Sequence, residues 1–311
     1  MAGRRKPHFL KDEKGFYTTS YGPFILRSAF QPIFSQDPNG RLTIEAFEAL
    51  IRASSNGKPV SPWHFFSMVE PEDAVFVDTA CRELHILNMG ALGRGKARLF
   101  VNFNPSLFDA VADIEDEADR MVEVTIEAGL RPSRIVCEIT EQGSGDNAVL
   151  HKLVSSLRAR NFRIAVDDFG ADDSDIQRVT ELNPDVLKFD AAWVRRFTET
   201  SAGMGLLKLM VDQFIDKGIT VLFEGLEEDH QVEFCNRVGV QLMQGYALAR
   251  PEIVPTTFDE RFPETRDTPQ APGATAAPAP TPTPAVAPDP GHAVPTFARP
   301  RRAAAFGKRS R

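Results

Sequence analysis

Apolar residues in this 311-residue chain gather into short runs, and the runs end alike. Ile25 to Phe30 leads to Gln31, Ile44 to Phe47 leads to Glu48, Leu99-Phe100-Val101 leads to Asn102, and Ile135-Val136-Cys137 leads to Glu138. Further on, Phe162 to Val166 leads to Asp167 and Asp168, Val186-Leu187 to Lys188, Thr220 to Phe223 to Glu224, and Val240 to Met243 to Gln244. Each run has strand length and is apolar on both faces, as buried parallel strands are. Between most of them lie amphipathic stretches long enough for helices, at 113–129, 146–160, 173–182, 200–217 and 227–238. Strands alternating with helices predict a parallel α/β sheet, and this many strands predict a TIM-like (β/α)8 barrel. Functional residues of such barrels sit at the C-terminal strand ends, which is where the polar residues fall here.

The first pair of strands departs from that regularity. Asp37-Pro38-Asn39-Gly40-Arg41 sets Asn-Gly between two apolar runs, a hairpin signal. The first strand is therefore expected to run antiparallel to the second. Helical cover on that side is expected from 61–91, with Asp73 as N-cap and helical spacing from Ala74 to Leu87.

Composition divides the chain into an expected barrel over 17–255 and two flanking segments. Residues 1–16 are polar and basic, the pattern of a short mobile arm. From 264 the chain becomes Pro-, Ala- and Thr-rich, as in Pro280-Thr281-Pro282-Thr283-Pro284, and such a segment buries too little apolar surface to offset its ordering entropy. A disordered tail is expected over 264–311, ending in the basic cluster Arg299, Arg301, Arg302, Lys308, Arg309 and Arg311, whose partner the sequence does not name. Setting those six positive charges aside from a net −7 leaves about −13 on the rest, so no nucleic-acid polymer is expected at the barrel. No run reaches the ~18–20 apolar residues of a membrane span, and no secretory apolar region opens the chain, so the cytoplasm is the expected compartment. The three cysteines, Cys81, Cys137 and Cys235, lie far apart in apolar contexts and read as reduced core thiols.

Glu48, Asn102, Glu138, Asp167 and Asp168 are all hard oxygen ligands, which favour Mg2+ or Mn2+ over zinc. Their number suits two ions better than one, and a two-metal oxygen site suits in-line displacement at phosphorus. Lys188 adds a fixed cation to orient water or steady developing charge, and Glu224 can take a proton. Arg52, four residues after Glu48, is placed to clamp a phosphate. Proton abstraction beside a carboxylate, as in enolase-like barrels, uses similar parts, but it does not need the amide ligand or the adjacent Asp pair.

At these residues the chain resembles the EAL-domain family, bacterial phosphodiesterases and receptors of cyclic di-GMP. The resemblance runs in motif order over about 17–255: Phe30-Gln31-Pro32-Ile33, Phe47-Glu48-Ala49-Leu50-Ile51-Arg52, Val101-Asn102-Phe103-Asn104-Pro105, Glu138-Ile139-Thr140-Glu141, Asp167-Asp168-Phe169-Gly170, Leu187-Lys188-Phe189-Asp190, Glu224-Gly225-Leu226-Glu227 and Gln244-Gly245-Tyr246. Any one of these is weak; the ordered set is specific. It implies a distorted TIM barrel with an antiparallel first strand, and metal ligation by Glu48, Asn102, Glu138 and Asp167 with Asp168 on a second ion. It implies Lys188 and Glu224 around the attacking water, nucleotide contacts from Gln31, Arg52 and Gln244, and loop bracing by Glu141 and Glu227. The implied reaction hydrolyses one phosphodiester of cyclic di-GMP to linear pGpG. Family members often form homodimers, which no feature of this sequence establishes.

The chain departs from the family where Thr-Gly-Tyr-Ser-Ser-Leu usually follows the Asp pair. It reads Ala171-Asp172-Asp173-Ser174-Asp175-Ile176, losing a glycine and a tyrosine and gaining three acids. Asn104 replaces a usual serine, and Ala53 stands where an aromatic is common. A non-catalytic cyclic di-GMP receptor and a partner-binding scaffold are the alternatives to the enzyme.

Overall fold

The computed structural model describes residues 5–107, 111–140, 147–170, 176–198 and 200–264. Eight strands close into a barrel: β1 (Phe24–Gln36), β2 (Leu42–Ser55), β3 (Arg98–Asn102), β4 (Ile135–Thr140), β5 (Arg163–Phe169), β6 (Val186–Phe189), β7 (Thr220–Phe223) and β8 (Leu242–Met243). From β2 to β8, successive strands pair in parallel. β1 closes the ring by pairing antiparallel with both β2 and β8. The β1–β2 hairpin forms as its turn chemistry predicts: Asp37 Oδ1 accepts from the amides of Asn39 and Arg41, each at 2.9 Å, and Gly40 takes φ +81°.

Strand alternation gives every barrel strand an inward set of residues. One layer of that set is wholly apolar and takes one residue from each strand: Ile33, Ala46, Phe100, Val136, Ala165, Val186, Leu222 and Leu242. It plugs the barrel. The larger core lies outside it, where strand residues such as Leu99, Cys137, Ile164 and Val221 meet the helices.

Those helices are α1 (Pro62–Ser67), α2 (Ala74–Leu92), α3 (Val111–Glu127), α4 (Asn147–Ala159), α5 (Ile176–Leu182), α6 (Ala191–Thr198), α7 (Ser201–Asp216), α8 (Asp229–Val238) and a last turn, α9 (Phe258–Arg261). Five of them fall on the expected amphipathic stretches, whereas the short α6 was not expected. Asp73 stands at the start of α2 as predicted, but its carboxylate does not cap the helix. It accepts from Tyr21 Oη at 3.0 Å and from Arg5 at 3.5 Å. Within the segment expected as a free arm, Leu10–Lys11 pair antiparallel with Tyr17–Thr18. Asp12 shapes that turn by accepting from the amides of Lys14 and Phe16, each at 2.9 Å. At the other end, Glu264 accepts from the amides of Gly95, Lys96 and Ala97, fastening the last described residue to the approach to β3. The rest of the expected tail lies outside the described residues.

Candidate functional site

One step along each strand from the apolar plug, toward the mouth, the inward face turns polar. Ile33 gives way to Gln31, Ala46 to Glu48, Phe100 to Asn102, Val136 to Glu138, Ala165 to Asp167, Val186 to Lys188, Leu222 to Glu224 and Leu242 to Gln244. Each step is two residues, the period of a strand, and it runs backward only in the antiparallel β1. The polar run-ends of the sequence are thus one ring of side chains on a hydrophobic floor. Glu138, Lys188 and Gln244 are buried, Glu48 and Glu224 are half-buried, and Asn102 is exposed. Beside the ring opens a cleft of about 340 Å³, with Gln31, Glu48, Asp190, Glu224, Gln244 and Tyr246 in its lining.

Asp167 and Asp168 are adjacent, so in a regular strand they would point to opposite faces. β5 is not regular there. Val166 pairs with Leu187 and Phe169 with Phe189, so Asp167 and Asp168 together oppose Lys188 alone. This is a β-bulge, which re-aims a side chain at the cost of one ladder bond. Asp168 adopts φ +56°, a left-handed conformation uncommon outside glycine, and its amide donates to Asp167 Oδ1 at 3.0 Å. The bulge lets both carboxylates face the mouth: oxygens of Asp167, Asp168 and Glu224 lie within 4.8 Å of one another.

Lys188 lies among the acids, its Nζ 2.7 Å from Glu138, 2.8 Å from Asp167 and 3.0 Å from Glu224. Gln244 Nε2 donates to Glu48 Oε2 at 2.7 Å, which fixes both side chains. Among the described residues, neither carboxylate oxygen of Glu138 nor Gln244 Oε1 has an aligned hydrogen-bond donor, although all three are buried. Burial, opposed by Lys188 and reinforced by Glu48 and Asp167, holds the Glu138 carboxyl well above its usual range. Burial likewise pushes Glu224 up to about 7, against the pull of Lys188. Asp168 is raised by burial and by its neighbour Asp167, and the surrounding acids raise Lys188 despite burial.

Besides burial, these shifts share a second cause. Glu48, Glu138, Asp167, Asp168 and Glu224 bring five carboxylates to the ammonium of Lys188, an excess of four negative charges when all are ionised. Protons or metal cations must relieve that excess. The donor set fits hard divalent ions: it is all oxygen, the buried Glu138 oxygens lack an aligned hydrogen-bond donor, and two such ions carry the missing charge.

The remaining expected residues are placed as follows. Arg52 faces inward two further steps up β2, half-buried, with its guanidinium donating to the Ile51 carbonyl at 2.9 Å. Glu227 lines the cleft. The start of α8 is tied by Gln231, whose Oε1 accepts from the amides of Glu227 and Glu228 at 2.6 and 2.9 Å. Glu141 and the acidic segment 171–175 lie outside the described residues. The sequence reading did not single out Asp190, which lines the cleft and whose Oδ1 accepts from the Trp193 amide at 2.8 Å to start α6. The signal was available: Asp190 stands two residues after Lys188 and shares its inward face.

The chain belongs to the EAL domain family, whose model matches residues 25–251. It is 32% identical over 136 residues to the cyclic di-GMP phosphodiesterase RocR of Pseudomonas aeruginosa, covering 43% of this chain and 34% of that protein. It is 28% identical over 136 residues to the probable cyclic di-GMP phosphodiesterase PdeA of Escherichia coli, covering 43% of this chain and 19% of that one. The chain therefore spans about a third or less of these curated relatives. Among solved structures, BlrP1 of Klebsiella pneumoniae in a manganese and cyclic di-GMP complex superposes with a TM-score of 0.65 at 28% identity, over 80% of this chain and 59% of that one.

Proposed function

We propose that this chain is a divalent-metal-dependent phosphodiesterase that opens cyclic di-GMP to linear pGpG. The observation that carries the reading is the excess of carboxylates around Lys188, with the Glu138 oxygens lacking aligned donors. A mouth so charged repels a phosphodiester unless cations accompany it. Glu48, Asn102, Glu138 and Asp167 would hold one Mg2+ or Mn2+, and Asp167 with Asp168 a second. When bound, such ions neutralise phosphate charge and acidify water. Lys188 orients the attacking water through Nζ–H, and the Glu224 carboxylate takes its proton as the water oxygen bonds to phosphorus; the bond from phosphorus to the ribose oxygen breaks, and that oxygen takes a proton from solvent to leave as a hydroxyl. Gln31 and Gln244 border the space for the nucleotide, and Arg52 reaches its phosphate from higher on β2. Glu227 would brace the loop after β7, the role that the family resemblance also gives to Glu141. We place the reaction in the cytoplasm: Cys81, Cys137 and Cys235 are free and buried, and no described helix is long and apolar enough to cross a membrane.

A second reading, a receptor that binds the nucleotide without cutting it, is favoured by one feature, the acidic sequence Ala171-Asp172-Asp173-Ser174-Asp175 after the Asp pair. Incubating the purified protein with cyclic di-GMP and Mg2+ or Mn2+ tests both. Hydrolysis predicts pGpG, lost in Glu48→Ala and with a chelator. Tight binding without product in either metal would leave the receptor.

A further inference from the structure

We propose that Arg82, outside the barrel on α2, is a positioning residue that aims Asn102 into the mouth by fixing the peptide group beneath it. Its relevance to metal rests on the function proposed above, in which Asn102 holds an ion. Arg82 is 2% exposed. Its Nη1 donates to Asp78 Oδ2 at 2.5 Å and to the Asn102 carbonyl oxygen at 3.3 Å, while Nη2 donates to Glu117 Oε1 on α3 at 2.7 Å. The guanidinium also lies over the Phe103 ring, 4.2 Å from its centroid. Glu117 is held in turn by the Thr79 hydroxyl at 3.0 Å.

The Asn102 carbonyl and the Phe103 amide belong to one planar peptide group. Its oxygen accepts from Arg82, and its N–H donates to the Glu138 carbonyl at 2.9 Å. The plane is thus gripped at both ends, and the second grip ties it to the strand end that carries Glu138. Among the described residues the Asn102 side chain has no hydrogen-bond partner of its own, so its direction is inherited from this backbone. A buried ion-pair cluster adds little stability over an apolar replacement, which leaves geometry as its contribution. A planar fork holds two carboxylates and a carbonyl in one fixed plane, whereas a lysine ammonium, a point charge on a flexible stem, imposes no such plane.

Two variants of the full chain test this: Arg82→Met with Asp78→Asn and Glu117→Gln, which leaves no lone carboxylate in the cluster, and Arg82→Lys, which keeps the charge if the first does not fold. Amide exchange followed by NMR without metal should speed up about fivefold at Phe103, the equivalent of one hydrogen bond, with Leu99–Val101 unchanged. Mn2+ titration should show affinity weakened roughly tenfold to a hundredfold, as for lost support behind a ligand. At saturating Mn2+, KM for cyclic di-GMP should stay put while the rate recovers. Unchanged Phe103 exchange, equal loosening of the whole strand, or unchanged Mn2+ affinity would overturn the proposal. If the wild type binds Mn2+ but makes no pGpG, the hydrolytic reading fails while exchange and titration still decide the role of Arg82. If the wild type binds no Mn2+, the aiming role falls with it.

Discussion

Lys188 and Glu224 illustrate how far single residues are committed to the mouth. Lys188 Nζ is within 3.0 Å of three carboxylates, so its removal strands buried charge. Lys188→Met should abolish hydrolysis and, at about pH 8 without metal, destabilise the protein by on the order of 3–5 kcal/mol in urea titrations. Glu224 contributes to the pH dependence, beside the raised Glu138 and Asp168. Its folded carboxyl titrates at about 7 against an ordinary 4.5, so the folded state binds the proton more tightly than the unfolded state. Its contribution to stability is present below 4.5 and lost as pH rises through about 7, a swing on the order of 3 kcal/mol. Chelator-treated protein should therefore show a falling midpoint across that window, and Glu224→Gln should flatten the fall. Added Mn2+ should also flatten it, because the ion takes over from the proton.

At the scale of elements, the bulge in β5 depends on what packs behind it. Gly170 follows the Asp pair at φ +95°, and a Cβ there would stand 2.3 Å from Trp193 Cγ on α6. Gly170→Ala should cost roughly 2 kcal/mol or more and weaken Mn2+ binding through the displaced bulge. Gly205, inside α7 with open space around it, is the control: Gly205→Ala should stabilise by about 0.5–1 kcal/mol in the same denaturation assay. The same contrast marks what the sequence disclosed. Run-end polar residues and Asn39-Gly40 revealed the barrel, its antiparallel first strand and all eight ring residues, because period and turn chemistry are local. The bulge was hidden, since it is defined by the β6 partner; so were the eight-residue plug, which needs strand register, and Arg82, whose targets lie 20 and 35 residues away. α6 escaped because a short helix carries few turns of periodicity.

For the molecule as a whole, the closing contacts beneath the barrel set where the chain can be cut. Phe258 is fully buried with its ring 5.7 Å from that of Phe47, Phe262 packs on Phe34 at 4.9 Å, and Glu264 clasps the amides before β3. Ending the chain at Arg266 should leave both the thermal midpoint and hydrolysis unchanged, whereas ending it at Thr257 should cost roughly 3–5 kcal/mol from the lost aromatic burial. The central prediction is that a ring of polar side chains one step above an apolar plug gathers carboxylates to hold two cations. Anomalous diffraction from crystals grown with Mn2+ and cyclic di-GMP tests it most directly. Two peaks are predicted, one among Glu48, Asn102, Glu138 and Asp167 and the other at Asp167 and Asp168. A mouth without a peak, or manganese bound only elsewhere, would contradict it.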